Sequence, residues 1–307
     1  MRQRTQPVIV VTGAGGFLGS RVVPLLRRRF PRASLTAVRR RRGGGPLARG
    51  VEHVYGDLGS AAVWQRLPRT VTHVVHLAAM IPWDRREANH AAVVIENLAP
   101  IAHLLEASQA WPQLRQVVYG SSVSIYGHTA GRLRESSPAR PAAPYGAAKL
   151  AGERLLDLLA PRGIAVASLR FSSLYGSGQF PGTVLPLMAA RARQGLPLDV
   201  FNPTRVQDFL HVDDAAGATC RACEQRVHGA FNVGTGQSVT MSALARAIVG
   251  AFDSASPVVV HDAPASGGDA GIRMDVGRMR RELAFHPRIT LDDGLARLAR
   301  ERPVAAR

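Results

Sequence analysis

Short apolar runs alternate with longer amphipathic segments through the first 175 residues of the chain. The runs fall at 8–11, 34–38, 51–55, 71–77, 116–120 and 165–171, and most are built around valine. Several are continuously apolar rather than alternating, which predicts strands buried on both faces, as in a parallel sheet. Segments 17–29, 61–67, 90–110 and 145–159 space their apolar residues as helices do, and predict the layers covering that sheet. The alternation predicts an α/β fold with a doubly wound parallel sheet. Pro24 falls inside the first predicted helix, where it removes one backbone N–H and predicts a kink or a loosened hydrogen bond.

After Tyr175 the rhythm changes. Residues 176–182 read as a loop, a helix follows at 184–194, and short elements continue past a Pro/Gly/Ser/Ala-rich stretch at 262–271. The boundary predicts one domain over 1–175, with parts of 205–260 packing back onto it. A smaller α/β substrate-binding region is predicted over 176–307.

Directly behind the first apolar run stands Thr12-Gly13-Ala14-Gly15-Gly16-Phe17-Leu18-Gly19. Gly13 permits a tight turn, Gly16 lets backbone approach a pyrophosphate, and Gly19 brings the following helix against the strand. The helix N-terminus then presents free N–H groups to the phosphates. A strand, this turn and an apolar helix together predict a dinucleotide site of the Rossmann type.

The 307 residues are 46% hydrophobic, enough for a real core, and no apolar run approaches membrane-spanning length. Residues 1–6 lead into the first strand with no apolar signal segment, so a cytoplasmic protein with no membrane partner is expected. The net charge of +17 comes from 39 Lys+Arg against 22 Asp+Glu. Such a balance suits anionic ligands. Without aromatic residues interleaved among the arginines, no nucleic-acid partner is expected. Cys220 and Cys223 lack the second half of a zinc site, so they are read as reduced thiols and no metal is expected.

Tyr145 and Lys149 lie four residues apart, and with Pro144 opening a helix both share one face. A cation about 4 Å from a phenol is worth about 4 kcal/mol at a surface-like dielectric, about three pKa units, so the phenol is expected to fall toward neutrality. Such a tyrosine can pass a proton to or from a carbonyl oxygen. Ser122 follows the fifth strand, at the carboxyl end where open α/β sheets hold ligands, and can share that oxygen.

These segments together resemble the extended short-chain dehydrogenase/reductase family, the NAD-dependent epimerase/dehydratase type that acts on nucleotide sugars. The resemblance runs through the glycine turn, Gly56-Asp57-Leu58, Val75-His76-Leu77-Ala78-Ala79, Asn97, Ser121–Gly127, Tyr145 to Lys149 and Leu169-Arg170-Phe171 to Tyr175-Gly176. It continues in Asp208-Phe209-Leu210-His211-Val212-Asp213-Asp214 and Phe231-Asn232-Val233-Gly234-Thr235-Gly236, and ends with Asp275 to Pro287. It implies Ser122 as catalytic hydroxyl, Tyr145 as acid/base, and Lys149 as a second grip on the nicotinamide ribose. Around the cofactor it implies Gly13, Gly16, Phe17, Leu18 and Gly19, with Asp57 and Leu58 by the adenine and Leu77, Ala78, Ala79 and Asn97 along its length. For the substrate, Met80, Trp83, Ser122 and Ser124 are expected at positions of the resemblance, and Ser173, Arg205, Gln207 and Arg273 at or beside positions where the chain departs from it. A homodimer is also implied.

Departures from the family pattern select among its reactions. In its 4,6-dehydratases an acidic pair follows the catalytic hydroxyl; here Val123 and Ser124 stand there. The carboxylate expected about 20 residues past the last glycine, to bind the NAD ribose, is replaced by Arg39 with Arg40 next. Guanidinium groups suit the 2′-phosphate of NADP, so NADP(H) is expected ahead of NAD(H). Ser173 replaces an asparagine, and Gln207 an arginine, that usually contact the diphosphate; Arg205 and Arg273 are the nearest substitutes. The reading that follows is an NADPH-dependent ketoreductase of a small-molecule ketone, in first place a nucleotide-linked 4-keto-6-deoxysugar of secondary metabolism. A nucleotide-sugar 4-epimerase, a reductase of a non-sugar ketone and a catalytically idle NADP-sensing module are the alternatives.

Overall fold

A computed structural model describes residues 6–41, 47–82, 90–127, 131–261 and 271–301. In chain order its first half runs β1 (Val8–Thr12), α1 (Gly19–Arg29), β2 (Ser34–Arg39), β3 (Glu52–Tyr55), α2 (Ala61–Gln65), β4 (His73–His76), α3 (His90–Ser108) and β5 (Gln116–Ser122). A 3₁₀ turn (Val123–Tyr126), β6 (Arg132–Leu133), α4 (Pro144–Asp157), β7 (Ala165–Phe171) and β8 (Ser173–Tyr175) follow. The second half is α5 (Val184–Arg193), β9 (Leu198–Phe201), β10 (Val206–His211), α6 (Val212–Gln225), β11 (Gly229–Val233), β12 (Ser238–Thr240) and α7 (Met241–Ala251). It closes with β13 (Val258–His261), β14 (Arg273–Met274), α8 (Gly277–Glu282) and α9 (Leu291–Arg300).

Seven strands form the main sheet in the order β11-β7-β5-β4-β1-β2-β3, every pairing parallel. Strand order reverses between β1 and β4, which opens a crevice at their carboxyl ends where a ligand can enter. Both faces are buried, as the apolar runs require. Ile9 and Val11 of β1 join Val22, Leu26 and the α6 side chains in one core, while Val10 joins Trp64, Ile101, Leu104 and Leu156 in the other. α1 continues through Pro24 without a break.

The second half of the chain does not stay apart. β11 completes the main sheet beside β7, with Phe231 opposite Leu169, and α6 packs on α1. The remaining elements build a smaller lobe whose core contains Tyr175, Leu185, Met188, Leu198, Phe209, Leu244, Ile248 and Leu295. β10 joins the lobes by pairing in parallel with β8, which extends the chain just beyond β7.

One sequence expectation needs correction. α3 is 19 residues long with a mean hydropathy of 1.2, so a segment of membrane-spanning length and composition is present. Val93, Ile101 and Leu104 on this helix are buried in the layer that packs against α4 and the sheet, which accounts for its apolarity. A helix covering one face of a sheet beneath a second helix needs apolar residues on more than one side.

Candidate active site

The glycine turn is tight for physical reasons. Gly13 adopts φ +66°, and a Cβ there would lie 2.5 Å from the Ala78 nitrogen. A Cβ on Gly19 would overlap the Gly13 carbonyl. Leu77 N donates to Thr12 O at 3.2 Å, which holds the Leu77–Ala78 backbone against the turn. Gly15 and Gly16 are exposed, Phe17 and Leu18 half-buried, and α1 starts with no side-chain cap and no acidic residue in its first turn. The positive end of the helix is therefore left to be matched by a ligand anion. A dinucleotide fits this cradle, and the residues that would hold it are Gly13 to Gly19 with Leu77, Ala78 and Ala79.

The two arginines ending β2 part company. A Cβ on Gly15 would lie 3.2 Å from Arg39 Nε, and the Arg39 guanidinium stands 5.9 Å from the Tyr55 ring centroid. Arg40 instead donates to Glu96 Oε2 at 2.7 Å across the surface. Asp57 and Leu58 follow β3, where Asp57 accepts from Gly59 N at 3.0 Å and the Leu58 carbonyl accepts from Trp64 Nε1. Asn97 is buried in α3 and donates to the carbonyls of Met80, at 2.8 Å, and Val93; its Oδ1 has no partner among the described residues.

Ser122, Tyr145 and Lys149 converge although β5 and α4 are separate in sequence. Ser122 caps the 3₁₀ turn by accepting from Ser124 N at 3.1 Å and donates to Ser124 Oγ at 3.0 Å, and its hydroxyl favours the charged form of the Tyr145 phenol. Pro144 opens α4, and the next turn brings Lys149 under Tyr145. Lys149 is buried, donates to the Gly120 carbonyl at 2.7 Å, and lies 4.8 Å from the Tyr119 ring centroid and 5.7 Å from that of Tyr145.

The expected lowering of Tyr145 by its lysine is not found. Burial pushes the phenol up to about 12, against the opposing influence of the Ser122 hydroxyl, and pulls the Lys149 ammonium down to about 7, against the Glu153 charge. Desolvation acts on both partners and exceeds their attraction, because the ammonium is turned to a carbonyl and a second ring. His76 lies behind them, stacked at 5.9 Å on Tyr119 and bonded through Nδ1 to Thr12 Oγ1 at 2.7 Å; burial lowers it to about 3.

Lys149 is the only lysine in the sequence; every other basic side chain that pairs with a carboxylate is arginine or histidine. That count was available to sequence reading and marks position 149 as one where a compact ammonium is needed and a guanidinium does not serve. Tyr126 and Arg170 lie in motifs that carry the family resemblance, but Glu153 carried no signal, and that the three meet behind the site was not legible because their partners are distant in the chain.

On the substrate side, Gln207 donates to Ser173 Oγ and Arg205 Nη1 donates to Gln207 Oε1 at 3.0 Å. Ser173 lies two residues beyond Phe171, the register partner of Ser122, so this chain starts close to the candidate catalytic groups. Ile272 N donates to Val206 O at 2.8 Å, bringing the segment before the exposed Arg273 alongside β10. Met80 is half-buried at the Asn97 contact. Trp83 lies outside the described residues.

Residues 9–234 match the sequence profile of the NAD dependent epimerase/dehydratase family. The chain belongs to that family. A dTDP-glucose 4,6-dehydratase of Streptomyces niveus is 31% identical over 307 residues, covering 94% of this chain and 90% of that protein. The crystal structure of UDP-glucose 4-epimerase from Thermus thermophilus with NAD superposes with a TM-score of 0.81 at 27% identity, covering 94% and 96% of the two chains. A dTDP-glucose 4,6-dehydratase from Streptomyces venezuelae, with NAD bound, gives 0.82 at 26% identity and 95% of each chain. The family member described here is thus an extended short-chain dehydrogenase/reductase with the Rossmann-type fold. Epimerisation and dehydration leave the overall oxidation level of a substrate unchanged, so these relatives do not lend support to the expected net ketoreductase, and both solved neighbours carry NAD rather than NADP.

Proposed function

We propose that the protein is a nucleotide-sugar 4-epimerase. The observation that carries this reading is the convergence of Ser122, at the end of β5, with Tyr145 and Lys149 on α4, followed by two residues, Val123 and Ser124, that are not acidic. In its phenolate form Tyr145 takes the proton of a sugar hydroxyl at its phenolic oxygen and later returns it. Ser122 holds the same sugar oxygen, and the Lys149 ammonium favours the phenolate while the proton is away. A nicotinamide cofactor in the glycine cradle supplies the hydride acceptor and donor. Eliminating water from the neighbouring carbon needs a further acid and base, which Val123 and Ser124 do not provide; 4,6-dehydration is therefore set aside.

A net ketoreductase is the second reading, and the Arg39 contact with Gly15 favours it. A guanidinium at that place pairs with a ribose 2′-phosphate, and NADPH is the usual reductant of net reductions. One experiment separates the two. Purified protein is given UDP-glucose or dTDP-glucose with a trace of cofactor, and separately a dTDP-4-keto-6-deoxysugar with stoichiometric NADPH. Conversion of the first to its 4-epimer without net change in cofactor supports the epimerase. NADPH consumed by the second, with no epimer from the first, replaces that reading by the reductase.

A further inference from the structure

Glu153 stands one helical turn beyond Lys149 on α4, and both are buried. Its carboxylate accepts from Ser121 Oγ at 2.5 Å, from Arg170 Nε at 3.0 Å and from Arg170 Nη2 at 2.7 Å. Arg170, on β7, uses its remaining nitrogen to donate to the Tyr126 hydroxyl at 2.8 Å and to the Glu135 carbonyl at 3.0 Å. Ser121 and Tyr126 flank Ser122 on its two sides. The pair therefore grips the segment carrying Ser122 from both ends and ties it to the helix carrying Tyr145 and Lys149. An ion pair buried this deeply gains little stability over apolar packing, because desolvation offsets the attraction; its distinguishing property is the number of segments it joins.

We propose that Glu153, braced by Arg170, is a positioning residue that fastens the Ser122 segment to α4 and holds a negative charge beneath Lys149. The inference rests on the reading of Ser122, Tyr145 and Lys149 as the reacting groups. The groups facing Lys149 are Tyr145 and Glu153 from α4, Tyr119 from β5 and His76 from β4, while Arg170 from β7 is paired with Glu153. α3, packed against α4, places Glu96 on Arg40 and sets His103 beside Glu106. Among these neighbours Glu153 is the carboxylate that opposes burial and favours the charged ammonium. Neutralising it leaves Lys149 with burial alone, which expels its proton.

Because Lys149 is the only lysine, protein grown on [ε-¹³C]lysine gives one side-chain resonance whose pH titration reports this group without any substrate. Glu153→Gln is expected to lower the titration midpoint by about one pH unit, while Glu153→Asp stays near the wild-type value. An unchanged midpoint in folded Glu153→Gln overturns the electrostatic part of the proposal. Ser121→Ala removes only the tie to the Ser122 segment, so it tests the geometric part and also serves if Glu153→Gln fails to fold. With UDP-glucose, dTDP-glucose or the keto sugar that turns over, it is expected to lower kcat about fivefold with KM nearly unchanged. A wild-type kcat overturns that part. Tyr145→Phe, run beside them, separates the failures: if it stays active the site reading itself falls, whereas an inactive Tyr145→Phe with unaltered Glu153→Gln and Ser121→Ala removes only the positioning role.

Discussion

Lys149 Nζ lies 5.7 Å from the centroid of the Tyr145 ring and gives its hydrogen bond to the Gly120 carbonyl instead of to the phenol. The ammonium therefore acts on Tyr145 through space, from a pocket that burial has already made unfavourable for charge. Lys149→Arg cannot reproduce this arrangement, because a planar guanidinium is larger than the compact ammonium buried against the Gly120 carbonyl. We expect it to lower kcat by about 10²-fold or more. Tyr145→Phe should lose about 10²–10⁴-fold, the range of a general acid, with cofactor affinity nearly unchanged in a fluorescence titration. Full turnover in either variant would remove that residue from the chemistry.

Arg39 is expected to set cofactor choice, with Arg40 a bystander held by Glu96. NADPH should bind about tenfold or more tightly than NADH, since a hydrogen bond to a charged group contributes about 1.5–3 kcal/mol. Arg39→Asp should narrow or reverse the preference and Arg40→Ala should leave it. Equal affinities of the wild-type protein for the two cofactors would return the choice to NAD, as in the solved neighbours.

Arg205 ends a polar chain through Gln207 to Ser173. If a nucleotide diphosphate lies against this chain, Arg205→Ala should raise KM for the nucleotide sugar about tenfold, or about 1.4 kcal/mol of lost binding, with a smaller change in kcat. Calorimetry of UDP and dTDP against the cofactor-loaded protein checks the premise directly. Absence of binding by both diphosphates points to a substrate without one.

Acid should unfold the protein early. Burial lowers His76 to about 3 and His73 to about 4, from 6.5 in the unfolded chain. Between 6.5 and these values the unfolded state binds more protons, so stability falls as pH falls. At pH 5 each histidine costs about 2 kcal/mol relative to neutral pH. Urea unfolding at pH 7 and pH 5 measures the loss, and His73→Gln should reduce it by about half. A midpoint and slope that do not change between the two pH values would contradict the buried neutral state of both rings.

What the sequence determined by itself were the features that depend on near neighbours in the chain. The main-sheet strands up to β7 and the helices α1 to α4 were legible because burial on one or two faces imposes a period of 3.6 or a continuous apolar run. The glycine turn was legible because Gly13 needs a positive φ, and the 145–149 spacing because one helical turn puts both side chains together. Tertiary structure decided whatever depends on long-range pairing. β11 enters the main sheet from 58 residues beyond β7 through its hydrogen bonds to that strand. Arg40 is taken by Glu96, 56 residues away. The proton affinity of Tyr145 moved opposite to the local expectation, and that of Lys149 fell, because desolvation sums over every group that covers them, and no spacing along the chain encodes that sum.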